Sequence, residues 1–485
     1  MKINSLFWLH LLLGIFINCE VMKCQERVYD IDDILNMYYQ TDAYAAQVAD
    51  SCINANNSKL FKIRALPTAS MAISVPNLNN SILAVTQPDG SDKFVNRFSA
   101  NTNVSMHISQ LIPFTGGTMT MSSYITRLDN FNPARDVSYN LNLFNISYSQ
   151  NLLGMNSYKW DKRILLVQEQ VQSIEYIRQR ENHYEEIVNL FFDLYIAQEK
   201  VDIYQQSLSL SKYLCEKSLK LYSVGKISKE DYINAKIDFY QVMNNNPEAE
   251  LEYAKSKLMS FLSMKESNFS LGFDYARIIN SDLSINIDYI CERVAEYSFN
   301  TQNKIQELQN DYDLKKIKAS GSPSVSLSIG GGLNSQSEMF TQMFGPYNSQ
   351  MSFGINASIP ILSWGKYRLQ YKNKKEAIRQ TELSYNAQKE AAVVNCRYDL
   401  NRLIVLKQSI MNNISLLSLY RQRVDLIKLN VENGKIDVSE IITLRQELES
   451  CELHIVSDIK TLYNIVYKYR KMALIDLLNG EVLYP

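Results

Sequence analysis

Two rhythms of hydrophobic and polar positions alternate along the chain, and the pair occurs twice. Residues 29–65 read as helix, with Ile31, Ile34, Leu35 and Tyr38 at steps of three and four. Lys62-Ile63-Arg64-Ala65 then leads through Pro67 into residues 70–75, where apolar and polar side chains alternate as in a strand. The same events return later. Residues 289–319 read as helix, and Lys316-Ile317-Lys318-Ala319 leads through Pro323 into the alternating Val325-Ser326-Leu327-Ser328-Ile329.

The first half continues longer in the strand rhythm. Val104, Met106 and Ile108 alternate with polar residues, Thr115-Gly116-Gly117-Thr118 makes a turn, and Met119 and Met121 resume the pattern. Val137, Tyr139, Leu141 and Leu143 follow, and a change of phase at Phe144-Asn145 predicts a β-bulge. The second half shows a Gly/Ser/Asn-rich loop over residues 330–350 and one more strand through Met351, Phe353, Ile355, Ala357 and Ile359. The offset between halves falls from 254 (62 against 316) to 209 (152 against 361), so the first half carries 45 extra residues among its strands. They read as an added hairpin, Val104 to Thr126 around Gly116-Gly117, or as a lengthened strand, and the preferred reading is strands that extend outward from the others or cover them.

Beyond the strands each half becomes a long helix. Leu152-Leu153 stands opposite Ile361-Leu362, and the distance from these positions to Gly225 and Gly434 is 73 residues in both halves. Two rods of about 69 residues follow, ~100 Å long at 1.5 Å per residue. Val167, Val171, Ile174 and Ile177 in the first, and Leu416, Tyr420, Val424, Ile427 and Val431 in the second, form narrow coiled-coil-like stripes. Each rod ends at a related turn, Val224-Gly225-Lys226-Ile227-Ser228 through Asp231 and Asn433-Gly434-Lys435-Ile436-Asp437 through Glu440. Glycine suits the left-handed position that stops a helix. Ser228 with Asp231, and Asp437 with Glu440, have capping-box spacing for the next one. Shorter helices then occupy residues 229–262, with a break and restart at Asn246-Pro247-Glu248, and 438–478.

Composition narrows the function. Across 485 residues the net charge is −1, which argues against a nucleic-acid partner. Residues 1–24 read as a secretory signal, a short charged start followed by an apolar run too short to span a membrane, with no convincing lipid-attachment context at Cys19 or Cys24. Cys52, Cys215, Cys291, Cys396 and Cys451 stand singly in helical patterns and read as small buried hydrophobes, neither a disulfide framework nor a metal site. No catalytic constellation, phosphate loop, cofactor motif or metal motif is present; Gly330-Gly331-Gly332 opens no helix, and His183 reads as a solvated or groove-facing helix residue. The chain reads as a non-enzyme.

Strands too few to close on themselves need partners that remove their edges. Alternating strands with Tyr139, Phe144, Tyr148, Phe340, Phe344, Tyr347, Phe353 and Trp364 as girdle candidates suit a membrane barrel, and equally a β-sandwich core. The two turns, the strand exit Ser358-Ile359-Pro360-Ile361-Leu362 and its counterpart Ser149-Gln150-Asn151-Leu152-Leu153-Gly154 together resemble the TolC-like outer-membrane factors, over nearly all of the exported chain.

That resemblance implies an α+β, mostly α fold with two repeats, residues 25–270 (strands with an inserted segment near 76–135) and 271–485. It implies a homotrimer in which each subunit gives four strands to a twelve-stranded barrel in the outer membrane, continued by a periplasmic helical barrel closed at its tip. Its partners would be a periplasmic adaptor, an inner-membrane pump and outer-membrane lipid. Val224, Gly225, Lys226, Asn433, Gly434 and Lys435 would meet the adaptor, and Asp231 and Glu440, six residues past each glycine, would form the gate. A further family acid is replaced by Thr443. The function implied is a passive exit duct for efflux or secretion; a soluble periplasmic coiled-coil protein is the alternative.

Overall fold

The computed structural model describes residues 27–132, 135–265, 268–279, 286–432 and 438–484. The expected signal and the whole second turn, Asn433 to Asp437, therefore lie outside the described residues. In chain order the elements are β1 (Arg27–Tyr29), α1 (Ile31–Met37), α2 (Asp42–Ile63), β2 (Thr68–Thr86), β3 (Asp92–Ile112), β4 (Gly117–Asn132), β5 (Asp136–Asn151) and α3 (Ser157–Ser223). They continue with α4 (Lys229–Asn244), α5 (Glu248–Leu262), β6 (Phe269–Leu271), α6 (Ala276–Ile279), α7 (Ile287–Val294), a π-helical stretch Ala295–Asn300 and α8 (Thr301–Gly321). The last are β7 (Ser324–Ser337), β8 (Asn348–Ser358), α9 (Lys366–Glu432) and α10 (Val438–Ala473). The two rods are each 67 residues long, and the expected break before Glu248 is present.

The chain divides into two compact units, to each of which α3 and α9 contribute. The first holds residues up to Ser51, Ile174–Phe299 and Lys389–Pro485. Its core is made where helices place apolar residues on one stripe: Tyr38, Phe191, Phe192, Leu258, Leu400 and Tyr469 are fully buried. The first predicted helix begins two residues late, because Tyr29 pairs in β1 with Leu271 of β6, in parallel. Asp30 then caps α1 in a reciprocal box with Asp33. The helix also breaks at Thr41, whose hydroxyl donates to the Tyr38 carbonyl (2.7 Å) and accepts from the Tyr44 amide (3.2 Å), starting α2 afresh. Burial pushes the Tyr38 phenol up to about 12, and its hydroxyl donates to Gln47 at 2.6 Å.

Two expectations are sharpened in this unit. Of the two readings of His183, the groove-facing one fits: it is half-buried and stacks on Tyr38 with ring centres 5.5 Å apart, its Nδ1 buried without a hydrogen-bond partner. Leu416, placed in the apolar stripe, is exposed, and Leu417 packs against the core instead. Among the cysteines, all expected to be buried, Cys291, Cys396 and Cys451 are, whereas Cys215 is half-buried and Cys52, at the start of the second unit, is exposed.

The second unit, Cys52–Ser173 and Asn300–Gln388, carries one antiparallel sheet in the order β2-β3-β4-β5-β7-β8. Six strands replace the four that the family resemblance implied. The 45 extra residues are a hairpin: four strands precede α3, where two precede α9. The glycines 330–332, expected in a loop, lie inside β7. Gly332 must be small, since a Cβ there would stand 2.3 Å from the Phe144 carbonyl oxygen. This close approach sits at the bulge where β5 slips against β7 between Asn142 and Phe144, one to two residues from the predicted phase change.

Candidate functional site

The registers of the six strands align their side-chain alternation, so the sheet has two chemically different faces. On one face Met71 and Ile73 of β2 stand opposite Met106 and Val104 of β3. Val104 and Ile108 stand opposite Ile125 and Met121 of β4, and Met121 opposite Ile146 of β5. Phe144 and Tyr148 continue the row to Leu333 and Ile329 of β7, and Ile329 and Leu327 to Phe353 and Ile355 of β8. Slippage at the bulges keeps the row in phase, because a shift of one residue would otherwise exchange the faces. Residues 325–333 set the height of this band at about nine residues, within the ~9–11 that a tilted membrane strand needs. Much of it is open to solvent in the single chain: Met71 is 66% exposed, Phe353 70% and Met351 93%. Ser123, a polar residue of this face, donates its hydroxyl to the Asn142 carbonyl at 3.1 Å and satisfies a group freed by the bulge.

The opposite face is small and polar. At the same height it presents Ser70 and Ser74 on β2, Ser105 and Asn103 on β3, Thr120 and Ser122 on β4, Asn145 and Ser147 on β5, Ser326 and Ser328 on β7, and Ser352 and Asn356 on β8. No Asp, Glu, Lys or Arg occurs there; His107 and the Tyr124 phenol, opposite Ser105, are the ionisable side chains in those rows among the described residues. Cross-strand bonds such as Thr120 to Ser147 (2.6 Å) knit the face.

Both rims of the apolar band are marked. Above it Arg127 pairs with Asp129 at 2.7 Å and lies over the Tyr139 ring, which contacts Phe340 at 5.6 Å. Below it Phe114, Ile361 and Trp364 are 80%, 94% and 85% exposed. Aromatic and amphipathic residues at such rims anchor barrels at the lipid–water boundary. Of the predicted girdle residues, Tyr139 and Phe340 belong to the upper rim and Trp364 to the lower, while Phe144, Tyr148 and Phe353 sit in the band.

The added hairpin is built into the base of the sheet. Its turn, residues 113–116, returns beside the start of α3, where Asn156 caps the helix by accepting from the Lys159 amide at 3.1 Å. The same Asn156 side chain donates to the Pro113 carbonyl at 3.0 Å, Gln150 donates to the Thr115 carbonyl at 3.1 Å, and Lys159 lies over the Phe114 ring. Gly116 has φ +78°, and a Cβ on it would press on Asn156 at 2.9 Å.

In the helical unit the first turn is as predicted. Lys226 N–H reaches the Leu221 carbonyl (2.9 Å) and Gly225 N–H the Tyr222 carbonyl (3.0 Å), with Gly225 at φ +74°. This is the paired bonding by which a left-handed residue ends a helix. Tyr222 and Tyr232 stack across the turn, 5.8 Å between centres. Val224, Gly225 and Lys226 are exposed, so they are free to touch a partner.

The two gate candidates are each held in their own hairpin. Asp231 accepts from the Ser228 amide (3.2 Å) and hydroxyl (2.7 Å), while its own amide donates back to Ser228. Glu440 pairs with Arg423 of α9 at 2.8 Å, and that bond is the main reason the Arg423 guanidinium is held above its ordinary range. Arg423 and Arg445 are the residues that sequence reasoning missed. Arg445 bonds Asp238 at 2.5 Å and Glu449 at 2.8 Å, and burial raises the Asp238 carboxyl although Arg445 opposes it. Arg445 and Glu449 border a cleft of about 660 Å³ between α3, α9 and α10, lined also by Ile203, Leu214 and Ile441. Among the described residues no cluster of His, Cys, Asp and Glu is placed to hold a metal, and no helix is long and apolar enough to cross a membrane.

Comparison with known proteins agrees with this geometry. The family model of outer membrane efflux proteins matches residues 301–458. No curated protein sequence matches the chain. Among solved structures it is similar to the CmeC outer membrane channel of Campylobacter jejuni, with TM-score 0.63 and 13% identity over 94% of this chain and 87% of that one. It is similar to VceC of Vibrio cholerae (0.59, 11%, 93% and 96%) and to the open state of the MtrE outer membrane channel of Neisseria gonorrhoeae (0.58, 12%, 93% and 90%). At such identities the likeness is one of fold. The resemblance to TolC-like proteins holds: the chain has the fold of outer-membrane channels and, over residues 301–458, the sequence pattern of outer membrane efflux proteins. That class consists of conduits, not enzymes.

Proposed function

We propose that the protein is the exit duct of a tripartite efflux or secretion system, assembled as a homotrimer. Its sheet lies in the outer membrane and its helical hairpins in the periplasm, where the exposed Val224, Gly225 and Lys226, together with Asn433, Gly434 and Lys435, meet an adaptor that links it to an inner-membrane pump. The observation that carries this reading is the two-faced sheet. A continuous apolar band on one face and an uncharged polar wall on the other are what a lipid-embedded barrel wall requires. A soluble coiled-coil protein would leave that band in water, where patches of such size are rare.

Transport needs no chemical step. Ringed carboxylates at a narrow mouth repel one another and disfavour anions, which is the role proposed for Asp231 and Glu440. The test is fractionation of cells expressing the protein, followed by gel migration with and without heating. A heat-modifiable trimer in the outer-membrane fraction is expected; recovery as a soluble monomer would sink the proposal.

A further inference from the structure

We infer that the trimer closes as an eighteen-stranded barrel, wider than the twelve-stranded one that four strands per copy would form, with a bore free of Asp, Glu, Lys and Arg at the height of its apolar band. The inference rests on the trimeric outer-membrane reading above and adds the size and chemistry of its outlet. Three observations carry it.

The added hairpin is part of the wall. β3 pairs with β2 and with β4, and β4 also with β5, along most of their length, so none of β2, β3 and β4 is a flap laid over a four-stranded sheet. The apolar band and the polar face run through β2, β3 and β4 without interruption. The hairpin's turn is also fastened to the start of α3 through Asn156 and Gln150.

The two edges of the sheet match each other. β2 and β8 each have one neighbour in the sheet, and nearly all their residues are exposed. Long apolar edges left unpaired are aggregation hazards, and closure removes them. Every neighbouring pair in the sheet is antiparallel and the strand count is even, so β8 of one copy meets β2 of the next antiparallel as well. Met71 and Ile73 then continue the apolar row of Met351, Phe353 and Ile355, and Ser70 and Ser74 continue the polar wall.

The numbers follow directly. Six strands from each of three copies make eighteen. Barrel diameter grows roughly linearly with strand number, so the backbone ring is about 1.5-fold wider than with twelve. Barrels of 16–18 strands hold an aqueous channel, not a packed interior. At the height of the band, a bore lined mainly by Ser, Thr and Asn has no carboxylate, ammonium or guanidinium with which to sort cargo by charge, and leaves that selection to other parts of the duct.

Wild-type protein in lipid nanodiscs tests this by single-particle imaging, with native mass spectrometry counting copies. Three copies with six wall strands each support the inference. Three copies with twelve wall strands and a hairpin outside the wall overturn it while leaving the trimeric duct intact. A copy number other than three sinks the trimeric reading, and the count of eighteen with it. Thiol-specific cross-linking gives a second check: cysteines at Phe353 and Ile73 should join neighbouring copies, whereas joining of Phe353 to Met121 of β4 would show a four-stranded contribution.

Discussion

Arg445 of α10 and Asp238 of α4 meet at 2.5 Å with their side chains 8% and 4% exposed, a buried ion pair that ties the return helices of the two hairpins together. Breaking such a pair by removing one partner leaves an unpaired buried charge. Asp238→Ala is expected to destabilise the helical unit by about 2–4 kcal/mol, toward the low end of the usual cost because Glu449 still holds Arg445. The double replacement Asp238→Leu with Arg445→Met should recover most of the loss. Chemical denaturation of the purified protein checks both, and equal losses in the single and double variants would remove the ion pair from the account.

Ile329 and Ser328 are adjacent in β7 but point to opposite faces of the sheet. Ile329→Arg places a charge near the middle of the apolar band, at a cost of about 2–4 kcal/mol in lipid. It should sharply reduce assembled protein in the outer membrane. Ser328→Arg should assemble normally and shift conductance toward anions in planar bilayers. If the two variants behaved alike, the assignment of faces would fail.

Gly225 holds φ +74°, and a Cβ added there would meet nothing within 4 Å, so only backbone strain opposes replacement. Gly225→Ala is expected to cost about 1 kcal/mol and Gly225→Asn less, since asparagine tolerates the left-handed region. Protease sensitivity of the 224–228 turn would report the difference, with Ala more readily cut than Asn.

Replacing both Asp231 and Glu440 by alanine should change single-channel conductance and weaken cation preference. Asp231→Ala also removes half of a capping box, worth about 1 kcal/mol, so a parallel melting curve separates the two effects. Glu440→Ala alone both removes a carboxylate and frees Arg423 from its closest partner, so it should account for more of the lost cation preference than Asp231→Ala. Unchanged conductance and selectivity in the double variant would take these residues out of the gate.

Much of this is legible in the sequence because it is local. The helix stop at Gly225, the cap at Ser228, the break before Glu248 and the equal rods all follow from residues within a few positions of each other. The strand count is not, because alternation in residues 76–100 is diluted by Asn77, Asn79 and Asn80, and a bulge between Ser74 and Asn77 changes its phase. The glycines 330–332 read as a loop by composition, yet they belong to a strand whose neighbour presses close at Phe144, a contact of distant origin in the chain. The ion pairs of Glu440 with Arg423 and of Asp238 with Arg445 join residues 17 and 207 positions apart, and no local pattern announces them. The packing of His183 is hidden for the same reason, since Tyr38, 145 positions earlier, supplies its stacking face.

The added hairpin leaves the chain where it found it, since β2 leaves α2 and β5 delivers α3 at the same end of the strands, whatever lies between. A single extra strand would have delivered α3 at the opposite end of the sheet. A sheet that grows by whole hairpins keeps α2 and α3 at the same end of its strands, whatever the strand number.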